Sequence, residues 1–170
     1  MIKDRQEKYG GYLKVDELTV KTRKGHDIKR EIVRRPNAVA AIVFDTVKKK
    51  FIFVKQWRPG VAGSIIEIVA GLIDHAGEDT RQTMIREVEE EVGYAVDNIK
   101  MLDEFYSSPG LTTEMVTLYY CEVSDQVSEG GGVEDEDEEI DIIEMTKQEM
   151  LMTQFNDAKT IIGVNWVKNK

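Results

Sequence analysis

Seven apolar residues in a row, Ala38-Val-Ala-Ala-Ile-Val-Phe44, place the first constraint on this chain. A strand with one wet face alternates apolar and polar side chains, whereas an unbroken run fits a strand covered on both faces. The flanking segments supply the covering layers. A basic turn, Lys48-Lys-Lys50, leads into a returning strand, Phe51-Ile-Phe-Val-Lys-Gln-Trp57, and Ile65-Ile-Glu-Ile-Val-Ala70 reads as another strand ended by Gly71. Residues 115–123 and 140–145 read as further strands, with Gly130-Gly-Gly132 as a flexible loop between them. Residues 79–92 and 146–154 carry helical patterns, and residues 160–168 read as a last amphipathic helix. Strands interleaved with helices predict a mixed α/β sandwich rather than a bundle.

Ahead of Pro36 the pattern changes. Residues 12–20 and 27–33 are strand-like, with a turn at Lys24-Gly25, which predicts a small antiparallel unit. The expected organisation is an N-terminal β subdomain over residues 1–36 and a main domain over residues 37–170. With 41% hydrophobic and 32% charged residues the chain reads as globular. A formal net charge of −9 argues against a phosphate-driven grip on nucleic acid. An acidic protein that acts on phosphates needs a bridging cation. The single cysteine, Cys121, excludes an intrachain disulfide and is expected as a buried thiol. No apolar run approaches a membrane span, and the charged start lacks a signal-peptide core, so the expectation is a cytoplasmic protein.

The helix over residues 79–92 carries the chemistry. Met84, Ile85, Val88 and Val92 recur at helical spacing as one apolar stripe, and Gly93 stands where a helix-ending glycine belongs. At about 100° per residue, Glu87, Glu90 and Glu91 fall within roughly a third of the circumference, away from that stripe. Like charges at these spacings destabilise a bare helix by a few tenths of a kcal/mol per pair, and a divalent cation removes that repulsion. Carboxylate oxygens suit magnesium or manganese better than zinc. A solvated acidic face is the ordinary alternative for a charge run, and a plain calcium-binding surface is another.

The surrounding pattern decides between them. Gly71-Leu-Ile-Asp-His-Ala-Gly-Glu78, seven residues, then Arg86-Glu-Val-Glu-Glu-Glu-Val-Gly93-Tyr94 resembles the Nudix box. The second half agrees at every fixed position. In the first half six residues separate Gly71 from Glu78 where the family pattern has five. One extra residue before the helix, with Gly77 absorbing the turn, accounts for the difference. The resemblance implies a Nudix fold, an α/β/α sandwich around a mixed sheet. It implies Glu87 and Glu91 as metal ligands, Glu90 as a ligand or water contact, the Ala70 carbonyl as a further ligand and Arg86 orienting the glutamates. Glu78 would act structurally at the helix start, where a carboxylate meets the positive end of the dipole.

The resemblance extends over most of the chain, to the ADP-ribose and nucleotide-sugar branch of that family. Ile66-Glu67-Ile-Val-Ala-Gly71 resembles the strand entering the box there, and Lys55-Gln-Trp-Arg58 places an arginine that would hold a phosphate. Tyr106-Ser-Ser108-Pro-Gly110 followed by Glu114 is similar to the element that approaches the terminal sugar; as local chemistry it is a Pro-Gly turn. Gly130-Gly-Gly-Val-Glu-Asp-Glu-Asp-Glu-Glu139 resembles the loop that supplies a general-base glutamate in GDP-mannose pyrophosphatases. Aligned from the glycines, the loop selects Glu134 and Glu136; aligned from the Ile140 strand, it selects Glu136 and Glu138. Glu136 is common to both. The ending, Asn156 to Asn165, is similar to the branch's final helix, and no catalytic role is attached to it. N-terminal strands of this branch exchange contacts with a partner chain, which implies a homodimer, with Tyr9 and Tyr12 as candidate stacking residues. The implied activity is magnesium-dependent hydrolysis of GDP-mannose or ADP-ribose. The alternatives are a Nudix enzyme for dinucleoside polyphosphates or other nucleotides, and a non-catalytic nucleotide-sugar-binding module.

Overall fold

The computed structural model describes residues 1–73, 77–132 and 139–170. They form two compact units, Met1–Asn37 with Phe105–Met115, and Ala38–Glu104 with Val116–Lys170.

The first unit contains an antiparallel sheet in the order β1-β2-β3, made of β1 (Ile2–Gly10), β2 (Lys14–Lys21) and β3 (Asp27–Arg34). The central strand buries Asp16 and Leu18 on one face. The outer strand β1 is an addition to the expected pair. Its residues are exposed throughout and carry no apolar alternation, so hydrophobic period gave no sign of it. It is held by backbone pairing to β2 and by cross-strand charges such as Arg5 to Asp16 at 3.4 Å. Residues 105–115 dock on the end of β3, where Val33 N–H donates to Leu111 O at 2.7 Å and Thr113 N–H to Val33 O at 3.1 Å.

The second unit is built on a seven-stranded mixed sheet. Its main path runs β10 (Ile140–Met145), β5 (Lys50–Arg58), β4 (Ala38–Asp45), β9 (Met115–Gln126), β8 (Tyr94–Tyr106). β4 and β9 are parallel, while β5 is antiparallel to both β4 and β10. Two short strands complete it, β6 (Gly63–Glu67) on β5 and β7 (Val69–Leu72) on β4. Three helices follow in the chain: α1 (Thr80–Val92), α2 (Lys147–Met152) and α3 (Ala158–Lys168).

The apolar run of β4 behaves as its composition requires. Val39, Ala41 and Val43 pack with Met84, Val88 and Val92 of α1. Ile42, pointing the other way, meets the open face of α3 at Gly163, and Phe53 stacks on Phe155 with ring centroids 5.1 Å apart. Helices therefore cover both faces of the sheet, and each fully buried aliphatic side chain contributes roughly 1.5–3 kcal/mol. Cys121 lies buried in this core, as expected.

Two expectations change. The segment read as one strand over residues 65–70 is two strands separated at Ile68, because the chain leaves β5 there and joins β4. The long edge strand β8 was not anticipated; its residues are mostly exposed or half-buried, so no alternation marks it. No helix among the described residues is long and apolar enough to cross a membrane.

Candidate active site

Helix α1 is fixed at both ends by its own sequence. Asp79 caps its start, accepting from Arg81 N–H at 2.8 Å. Gly93 closes it in the left-handed region at φ 78°, its N–H donating to Glu89 O at 3.0 Å. With Met84, Val88 and Val92 fully buried, the roll of the helix is set. One glutamate falls differently from expectation. Glu91 is only 4% exposed and lies with the packed residues rather than away from them. It sits at the junction with β7, where Ala70 N–H donates to Glu91 Oε2 at 3.2 Å.

Glu87 meets the next residue of the same strand. A Cβ at Gly71 would overlap the Glu87 carboxylate, so the approach depends on glycine. Arg86 lies over the acidic face, with Nη2 2.8 Å from Glu87 Oε1 and Nη1 donating to Glu90 Oε2 at 2.6 Å. Burial works against the Arg86 charge but is outweighed by Glu87 and Glu90, which push its pKa upward. Glu78 Oε2 is shielded from solvent and accepts no hydrogen bond among the described residues.

The glycine loop after β9 is tied to the same helix. Gly131 N–H donates to Glu91 O at 2.9 Å and Gly132 N–H to Glu90 O at 3.1 Å. Val127 and Ser128 donate to Gly93 O at 2.8 and 3.1 Å. Carbonyls that a helix end leaves without partners are thus satisfied by the loop. An open cleft of about 610 Å³ lies there, between Arg86, Glu89 and Glu90 on the helix and Ser128, Glu129 and the glycines on the loop. Glu134, Glu136 and Glu138 lie outside the described residues.

Arg58 and Glu67, separate candidates in the sequence, form one pair. Arg58 Nε donates to Glu67 Oε2 at 2.7 Å, and Glu67 is buried. The other carboxylate oxygen takes a cation that sequence reasoning missed: Lys159 Nζ donates to Glu67 Oε1 at 2.6 Å. The only signal was its place in the final-helix resemblance, to which no role was attached.

In the first unit, Ser108 O accepts from Leu111 and Thr112 N–H at 2.9 and 2.8 Å, closing the Pro-Gly turn that leaves Gly110 exposed. Glu114 is held by Arg35, Nε to Oε1 at 3.1 Å. Thr113 locks the same stretch, accepting from Arg35 N–H at 3.0 Å and donating to Arg35 O at 3.1 Å.

Among the described residues, no three His, Cys, Asp or Glu side chains are grouped closely enough to hold a metal by themselves. The donors that β7 and α1 do bring together are the Glu87 and Glu91 carboxylates, backed by the main chain of Ala70 and Gly71. Such oxygens fit a hard divalent cation.

A strand running into a capped acidic helix, inside a sheet covered on both faces, defines the Nudix class. The NUDIX domain profile matches residues 34–162, and the chain belongs to that family as a Nudix hydrolase. It is 38% identical over 98% of its length to a methanol dehydrogenase activator of Bacillus methanolicus, 91% of which is covered. It is 35% identical to the ADP-ribose pyrophosphatase of Bacillus subtilis, over 86% of this chain and 80% of that one. It is also 35% identical to the GDP-mannose pyrophosphatase of Escherichia coli, over 86% of this chain and 83% of that one. A solved ADP compounds hydrolase shares the fold, with a TM-score of 0.82 at 19% identity over 99% of this chain and 92% of that one.

Proposed function

We propose that this Nudix hydrolase cleaves the diphosphate of nucleoside diphosphate sugars, GDP-mannose or ADP-ribose, to a nucleoside monophosphate and a sugar phosphate. The observation that carries the reading is the meeting of Glu87 and Glu91 with the main chain of Gly71 and Ala70 at the start of the box. The two pyrophosphatase relatives support the substrate class.

In this reading Glu87, Glu91 and the Ala70 carbonyl hold magnesium or manganese, with Glu90 beside them. When bound, the cation neutralises the diphosphate and lowers the pKa of a water. Arg86 keeps the carboxylates oriented. Arg58 exchanges part of its pairing with Glu67 for a substrate phosphate, a planar fork suited to such oxygens. Ser108, Gly110 and Glu114 are assigned to recognition of the sugar, on the likeness of their Pro-Gly element to that of the nucleotide-sugar branch. Glu136, or its neighbours Glu134 and Glu138, takes the proton of the attacking water as the bridging P–O bond breaks in line. Residues 1–36 form the contact of a homodimer; the exposed aromatic rings of Tyr9 and Tyr12 support this.

The test is a panel of GDP-mannose, ADP-ribose, dinucleoside polyphosphates and free nucleotides at saturating magnesium, read for monophosphate and sugar phosphate. Cleavage of both nucleotide sugars in preference to the rest is expected, and turnover confined to the others would reject the assignment. Glu136→Gln should lose at least about 10²-fold in kcat; near-normal turnover would exclude Glu136 as the base. The activator relative favours a second reading, in which the chain also stimulates an alcohol dehydrogenase. Adding this protein to such a dehydrogenase, with and without magnesium, decides that point.

A further inference from the structure

The strand that leads into the acidic helix changes partner in mid-course. β6 pairs with β5, β7 pairs with β4, and Ile68 belongs to neither ladder. The Ile68 amide is nevertheless buried, and a buried amide needs an acceptor. Its acceptor comes from the far end of the chain: Ile68 N–H donates to Thr160 Oγ1 at 2.9 Å.

Thr160 is held so that it can receive that bond. It has no exposed surface, and its hydroxyl donates to Asp157 Oδ2 at 2.6 Å. Asp157 is the N-cap of α3, and the same oxygen accepts Thr160 N–H at 2.9 Å. A threonine hydroxyl has one proton. With that proton committed to Asp157, its lone pairs are turned to Ile68. A second tie runs alongside, since Lys159 Nζ lies 2.6 Å from Glu67 Oε1 and 3.1 Å from Asp157 Oδ1. The start of α3 therefore grips both Glu67 and Ile68, the residues at which the strand crosses from β5 to β4.

Ala70 and Gly71 follow directly, and they are the residues that Glu91 and Glu87 meet. We infer that Thr160 is a positioning residue of the active centre, fixing the crossover at Ile68 and through it the place at which Ala70 and Gly71 present their main chain to the glutamates. The inference rests on the proposed site for its link to the reaction, and on the hydrogen bonds above for its mechanics.

Three variants of the full chain test it: Thr160→Val, which keeps the shape and removes the hydroxyl; Thr160→Ser, which keeps the hydroxyl; and Asp157→Ala, which frees the hydroxyl to turn. The readouts are amide hydrogen exchange over residues 66–72, Mn²⁺ binding by calorimetry without substrate, and kcat and KM with both nucleotide sugars. For Thr160→Val the expectation is faster exchange at Ile68, Ala70 and Gly71, Mn²⁺ affinity weaker by about 10-fold and kcat lower by about 10-fold, with KM little moved. Thr160→Ser should restore all three, and Asp157→Ala should show a smaller loss of the same kind. Unchanged exchange and Mn²⁺ affinity in Thr160→Val would overturn the inference. So would an equal loss in Val167→Ala, a buried α3 position about two turns beyond Thr160, compared at matched thermal stability. Should Thr160→Val not fold, the contrast between Asp157→Ala and Thr160→Ser decides. Should the wild-type protein cleave neither nucleotide sugar, the functional proposal fails on its own, and hydrogen exchange still decides the role of Thr160.

Discussion

The Ala70 amide donates to the buried Glu91 carboxylate at 3.2 Å, joining strand β7 to helix α1 through a polar bond at the edge of the core. A carboxylate removed from water needs such a partner or a cation, because an isolated buried charge is costly. Glu91→Gln keeps an oxygen for the Ala70 amide and removes the charge. The variant is expected to fold with a near-normal thermal midpoint. Mn²⁺ binding, followed by calorimetry, should be lost, and turnover should fall by at least about 10²-fold. Intact Mn²⁺ affinity would show that Glu91 is held for structure alone.

Gly71 is required for its lack of a side chain. A Cβ there would overlap the Glu87 carboxylate. Gly71→Ala should cost about 1–3 kcal/mol, as overpacking does. It should also lower turnover by about 10–100-fold through displacement of Glu87. Gly60→Ala, where an added Cβ meets nothing within 4 Å, is the control. Equal denaturation midpoints for the two variants would count against this account.

Gly93 combines two demands. Its φ of 78° favours glycine, and an added Cβ would strike Ser128 O of the loop that caps the helix. Gly93→Ala should destabilise by about 1–3 kcal/mol, typical of a non-glycine residue held in the left-handed region. Hydrogen exchange at Gly131 and Gly132 should quicken with it. Urea titration measures the first effect and mass-resolved exchange the second.

Away from the site, Glu144 sits between Lys48 Nζ at 2.6 Å and Lys50 Nζ at 3.1 Å. The hydrogen bond from Lys48, against some burial and with help from Lys50, holds the Glu144 pKa below its ordinary value. A depressed folded-state pKa contributes stability above the unfolded value of about 4.3, and that contribution is lost as pH falls through the folded value. The pair is partly exposed, so it contributes at most about 1 kcal/mol. Glu144→Gln should melt slightly below the wild type at pH 7, and the gap should close below about pH 4. A gap that persists in acid would assign it to packing.

The sequence by itself determined the elements whose signals are local. The unbroken apolar run of β4 required cover on both faces and received it from α1 and α3. The stripe of Met84, Val88 and Val92, closed by Gly93, marked residues 79–92 as helical, and α1 runs Thr80–Val92. The box pattern named Glu87 and Glu91 beside Gly71. Tertiary structure decided what depends on partners distant in the chain. The exposed strand β1 carries no periodic signal, because backbone pairing rather than apolar burial holds it, and β8 packs Tyr94, Val96 and Ile99 against the core without a sustained alternation along its length. Glu91 follows the buried Met84 by seven residues, about 20° away on the helix, so helical angle already sets it nearer the packed stripe than Glu87 or Glu90; its bond to Ala70 depends on where β7 lies. The hold of Lys159 and Thr160 on Glu67 and Ile68 joins residues 92 apart in the chain. Hydrogen bonds of that span leave no mark in local composition, so the last helix, to which the sequence attached no catalytic role, is the part whose meaning the fold changed most.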